Sequence, residues 1–166
     1  MAFTGAPILT NDMTITNDGF YPNVSVKEFI DAYRIPAQYD APATQNGVLH
    51  SVINVNSQLV ALKAACVALS YSTLLAYASA HSELINGSEV LISLYKKAVF
   101  CYAKAFLSQQ FDTMNPIKAD RTESPDSINP HEIWLREADN ALAAMLQRVS
   151  VSVGNGGLSG FYAGLL

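Results

Sequence analysis

The stretch Val90-Leu91-Ile92-Ser93-Leu94-Tyr95-Lys96-Lys97-Ala98-Val99-Phe100-Cys101-Tyr102-Ala103-Lys104-Ala105-Phe106-Leu107 carries large apolar side chains around nearly its whole circumference. A helix that is apolar on every side must be packed between several neighbours, so this segment is expected to form the centre of a helical core. Asn86-Gly87-Ser88-Glu89 reads as a stop followed by a start, with Ser88 as the N-cap, and the helix is expected to reach about Gln110. Lys96, Lys97 and Lys104 interrupt the run and exclude a normal membrane span.

On its N-terminal side, Val48, Val52, Val55, Leu59, Leu62 and Cys66 recur at alternating spacings of four and three. They form one stripe of one amphipathic helix over about Thr44 to Leu69, with Asn46, His50, Asn54, Asn56, Gln58 and Lys63 off the stripe. Ser70 to Asn86 shows no clean period and reads as an irregular or short helical connection. Ser25 followed by Glu28 is a capping-box pattern that opens a short helix over about Val26 to Tyr33, closed before Pro36. The first two dozen residues, punctuated by Asn11-Asp12 and Asn17-Asp18-Gly19, read as an extended arm.

On its C-terminal side, Asp112 to Pro130 reads as a long polar loop. Asn129 can cap the next helix, Pro130 suits its first position and Glu132 completes an Asn-x-x-Glu box. Trp134, Ala138, Ala141, Leu142, Met145 and Val149 then share one face of a helix to about Arg148. Trp134 heads that stripe and is read as core, with a subunit contact as the alternative. The expected fold is an all-α bundle of three long helices plus a short N-terminal helix. Its organisation is an extended N-terminal arm (1–24), a helical adaptor domain (25–150) and an extended partner-docking tail (151–166).

The 166 residues suit one domain, which can bury about 70% of its unfolded surface without disulfide or metal. Half the residues are apolar and 14% are charged, too little charge to cover a monomer's surface comfortably, so contacts between subunits are expected. Lys and Arg number 10 against 14 Asp and Glu and form no cluster, unlike a nucleic-acid binder. No basic flank with an adequate apolar run marks a secretory signal at Met1 to Thr10, and synthesis in a cytoplasm is expected.

The tail decides function. After Val149-Ser150-Val151-Ser152-Val153, five glycines alternate with Leu158, Phe161, Tyr162, Leu165 and Leu166. Glycine raises the entropy cost of ordering such a backbone, yet the large side chains need burial. Val151, Val153, Leu158, Phe161, Tyr162, Leu165 and Leu166 are therefore read as docking on another subunit or protein, with the Val-Ser alternation suited to strand addition. The alternative is a tail folded back on its own core.

Catalytic chemistry is not indicated. His50, His81 and His131 have no metal-ligand spacing, and Cys66 and Cys101 fall within apolar patterns as buried, inert thiols. Gly154-Asn155-Gly156-Gly157 lacks the Lys-Ser/Thr of a phosphate loop, and Leu158-Ser159-Gly160 lacks the setting of a nucleophile elbow. The acid pairs Glu137/Asp139 and Asp120/Glu123 sit in polar stretches. No catalytic residue, metal ligand or cofactor is expected.

Several strings, in order, resemble the head completion proteins of tailed phages with contractile tails: Asn17-Asp18-Gly19-Phe20-Tyr21-Pro22, Asn56-Ser57-Gln58-Leu59, Ile85-Asn86-Gly87-Ser88-Glu89, Tyr95-Lys96-Lys97-Ala98-Val99, Ser124-Pro125-Asp126-Ser127-Ile128 and Trp134-Leu135-Arg136-Glu137-Ala138. The resemblance spans about Asn17 to Val153, and residues 154–166 depart from it. It implies a non-enzymatic virion adaptor in the neck between head and tail. Such an adaptor binds the portal protein as a ring, commonly dodecameric, after DNA packaging and offers a surface to the next neck or tail-terminator protein. Double-stranded DNA would pass through the ring, where a charge of −4 per subunit avoids holding phosphates. The alternatives are a generic helical oligomerisation module and an enzyme with a site formed between subunits.

Overall fold

Ser25 closes a strand and opens a helix. Its Oγ accepts the Glu28 amide (3.2 Å), and α1 runs Val26–Tyr33. The reciprocal half of the capping box is replaced, because the Glu28 carboxylate takes the Lys96 ammonium instead (2.7 and 3.0 Å). In this computed structural model, residues 13–36, 39–114 and 129–153 are described. Among them are six helices and two short antiparallel strand pairs, an essentially all-α architecture as expected.

The described part of the arm is folded back rather than free. β1 (Thr14–Ile15) pairs with β2 (Val24–Ser25) in the register Thr14↔Ser25, and Ile15, Phe20, Tyr21 and Val24 join the core. α2 (Ala41–Gln58) starts three residues before the expected Thr44. The Asp40 side chain accepts the Ala43 amide (3.0 Å), with a proline in the first turn where its missing amide is harmless.

The long helix expected to Leu69 is broken. α3 (Val60–Ala68) leaves α2 at 58°, with Leu59 at the corner. The Tyr21 hydroxyl donates to the Leu59 carbonyl (2.8 Å), which also accepts the Lys63 amide. A side chain hydrogen-bonded into a helix ladder is an established source of a kink. Despite the corner, Val48, Val52, Val55, Leu59, Leu62 and Cys66 are all buried, so the stripe follows the bend.

The aperiodic connection contains α4 (Leu74–His81), capped by Thr73, and a hairpin of β3 (Leu84–Ile85) and β4 (Ser88–Glu89). Asn86 and Gly87, both at positive φ (52° and 75°), form its two-residue turn. Ser88 is therefore a strand residue and not the cap of the next helix. That task falls to Ser82, whose Oγ accepts the Leu91 amide (3.3 Å).

α5 (Val90–Met114) extends past the expected Gln110 and packs between α2 and α6 (Pro130–Val153). Leu91, Tyr95, Val99, Phe100, Ala103 and Leu107 are buried around its circumference. Gly47 permits a close approach of α2, since a Cβ there would lie 3.3 Å from Phe106 Cδ1. Asn129 caps α6 by accepting the His131 amide (3.1 Å). The segment Val149 to Val153, expected as an extended Val-Ser alternation, is the last turn of α6, with Val149 fully buried.

Candidate docking surface

Three side chains fix the arm against the bundle. Asn56 Nδ2 donates to Asn17 Oδ1 (2.8 Å), the Tyr95 hydroxyl donates to Asn56 Oδ1 (2.7 Å), and Asn17 Nδ2 donates back to the Tyr95 oxygen (2.7 Å). The ring of hydrogen bonds is closed, joining arm, α2 and α5. Tyr95 also stacks on Tyr21 at 5.1 Å and 6°. Burial pushes the phenols of both tyrosines well above their ordinary value, so they stay protonated as donors.

Asp18 completes this corner. Burial works against its charge, but the Lys63 ammonium (2.6 Å) and the amides of Tyr21 and Phe20 outweigh that and hold its carboxyl below the usual carboxylate range. Lys63 is thereby paired at the surface with Asp18, and it is the sole charged residue between Ala41 and Ala68. The outward side of α2 and α3 consequently presents apolar groups with no charge interspersed.

On that side, Ile53, Val60 and Val67 recur every seven residues and are 56%, 63% and 53% exposed, with Leu49 one helical turn before them. Leu49 and Ile53 lie one turn apart on α2, and Val60 and Val67 two turns apart on α3 beyond the corner, all off the buried stripe. The hairpin tip is similar: Leu84 and Ile85, adjacent in β3 and on opposite faces of the strand, are 66% and 63% exposed. Single exposed apolar residues are ordinary, but a repeating line of them marks an interaction surface.

The other lysines among the described residues are engaged. Lys96 meets Glu28, Lys97 meets Glu137 (2.7 Å), Lys27 meets Asp31, and Lys104 donates to the Tyr33 carbonyl (2.7 Å) while lying 4.4 Å above the Trp134 ring. Trp134 is thus half-buried, packed on Tyr33 with centroids 5.7 Å apart. Cys66 and Cys101 are buried free thiols, and burial pushes Cys66 up to about 11.

A groove of about 220 Å³ lies between α2, α5 and α6, lined by His50, Ser51, Asn54, Tyr102, Phe106 and His131 among others. Three of its polar side chains are partnered within the fold. Ser51 Oγ donates to the Gly47 carbonyl (2.8 Å), His131 Nδ1 lies 2.9 Å from the Ala105 carbonyl, and the Tyr102 hydroxyl donates to Asp139. That arrangement pairs no serine with a histidine base. Among the described residues no three His, Cys, Asp or Glu side chains converge as a metal site, and no single helix is long and apolar enough to cross a membrane.

Of the residues read from the sequence as docking groups, Val151 and Val153 fall in the last turn of α6, with side chains outside the described set. Leu158, Phe161, Tyr162, Leu165 and Leu166 lie outside the described residues. Sequence reasoning missed the α2–α3 line because the buried stripe dominated the same helix. The period-seven recurrence of Ile53, Val60 and Val67 beside it was the available signal.

Residues 15–154 match the family described as phage head completion protein (GPL). The chain is also 31% identical over 145 residues to the "Probable head completion/stabilization protein" of Haemophilus phage HP1 (strain HP1c1), covering 86% of this chain and 92% of that protein. No solved structure matches.

Proposed function

The chain belongs to the phage head completion protein family and is a virion component, and from that premise we propose that it is the head-to-tail adaptor of the neck. In this reading, copies assemble as a ring, twelvefold in the usual case, under the portal protein once DNA is packaged. The ring presents its far side to the next neck or tail-terminator protein. The molecule acts by covering surfaces and not by bond chemistry, and the DNA only passes through.

The observation that carries this reading is the charge-free outward face of α2 and α3. Apolar groups without interspersed charge can be buried against protein with no ion to desolvate, whereas an exposed monomer surface normally carries mixed charge. An acidic balance of −4 per copy supports a conduit that does not grip phosphate. The residues at 151–166 supply a second adhesive element, directed to the portal or to a neighbouring subunit.

The test is complementation. DNA-filled heads made without this protein should fail to accept tails in vitro and should regain infectivity when the purified protein is added before the tails. Heads that join tails equally well without it would refute the adaptor role.

A further inference from the structure

We propose that residues 158–166 of one copy dock on the Leu49–Ile53–Val60–Val67 face of the next copy. The inference rests on the ring reading and names the contact that closes it.

Length and position favour this occupant. α6 packs against α3 and runs to Val153, the residue from which the remaining segment starts. The 13 residues from 154 to 166 can span up to roughly 43–47 Å, enough to cross from one subunit to its neighbour. Chemistry agrees. Residues 154–166 carry no charged side chain, and the face they would meet carries none. A portal-facing or DNA-facing surface has no reason to hold a single charged residue, Lys63, in 28, whereas two apolar surfaces of one chain that cover each other do.

Spacing agrees as well. Leu158, Phe161, Tyr162, Leu165 and Leu166 stand at i, i+3, i+4, i+7 and i+8, with Ser159, Gly160, Ala163 and Gly164 between them. Wound helically on a partner, they would offer one apolar side, the anchor pattern of a segment laid against a helical surface. Leu158 to Leu165 and, within α3, Val60 to Val67 are both seven residues apart, about 10.5 Å along a helix, so two anchors can meet two receptors in register. Because donor segment and receptor face are different surfaces, the contact is head-to-tail and generates a ring or an open filament, not an isolated dimer.

The test uses whole particles carrying a mixture of two tagged forms, one Val60→Cys and the other Leu165→Cys. Mild oxidation should give a disulfide between the two tags, against little background, because Cys66 and Cys101 are buried with thiols raised by that burial. Separately, Ile53→Asp with Val60→Asp should abolish incorporation into the neck while leaving the isolated protein's circular dichroism and Tm unchanged. In wild-type particles an amine-reactive crosslinker should give a ladder of this chain. Absence of that ladder would overturn the ring reading itself. A ladder without the 60–165 disulfide would overturn only the present inference. So would a disulfide formed solely within single chains carrying both cysteines, or crosslinks from residue 165 to the portal alone.

Discussion

Replacing Tyr95 by Phe removes one oxygen from the closed ring of Asn17, Asn56 and Tyr95 and nothing from the apolar packing of the ring face. Two hydrogen bonds of 2.7 Å are lost. The partners are not left equally: Asn17 Nδ2 keeps the Pro22 carbonyl at 3.0 Å, while Asn56 Oδ1 loses the phenol that donates to it. With each hydrogen bond worth about 0.5–1.5 kcal/mol and a part-buried acceptor left without its donor, Tyr95→Phe should cost about 2–3 kcal/mol. For a chain of this size that is a fall in Tm of roughly 5–10 °C. Urea unfolding followed by circular dichroism gives the first number and a thermal scan the second. Because the three groups polarise one another, Asn56→Ala should cost much less in the Tyr95→Phe background than in the wild type. A loss below about 0.5 kcal/mol, the size of an ordinary surface change, or strict additivity of the two substitutions, would refute the claim that this ring holds the arm.

Other outcomes follow from the same geometry. Phe100→Ala, which empties a buried site against Phe29 and Tyr33, should cost about 3–5 kcal/mol in urea unfolding. Val60→Asp, at an exposed position, should change stability by no more than about 0.5 kcal/mol and yet block neck assembly, measured as particle infectivity. Burial, and for Tyr102 the hydrogen bond to Asp139, raise the phenols of Tyr21, Tyr33, Tyr95 and Tyr102, the last to about 12. A raised folded-state value means full stability below the unfolded value of about 10 and progressive loss above it, so urea midpoints should be flat to pH 9.5 and fall from there toward pH 12, with the tyrosinate absorbance of these four phenols appearing only as the protein unfolds.

The readable parts of the chain were those where a local rule and the tertiary fold agree. Ser25 and Asn129 cap the helices that their side chains announce, and the apolar encirclement of Val90 to Leu107 does mark the central helix. The 58° corner at Leu59 was not readable, because its cause is a hydroxyl 38 residues earlier, that of Tyr21. Ser88 and Glu89 had the chemistry of a helix start, but Asn86-Gly87 at positive φ turned the chain into a hairpin and passed the capping to Ser82. Val149 to Val153 alternated like a strand, yet Val149 is buried in the core and the helix runs on to Val153. The residues at 151–166, read as docking groups from their apolar content, have their side chains outside the described residues, whereas the exposed apolar groups of α2 and α3 emerge only once burial separates them from the stripe beside them.

The most direct measurement is a reconstruction of the particle neck by electron cryo-microscopy. The account expects copies of this chain in a closed ring directly beneath the portal, with Ile53, Val60 and Val67 of each copy covered by protein. Copies dispersed over the capsid shell, or a ring in which that face lies open to solvent, would contradict it.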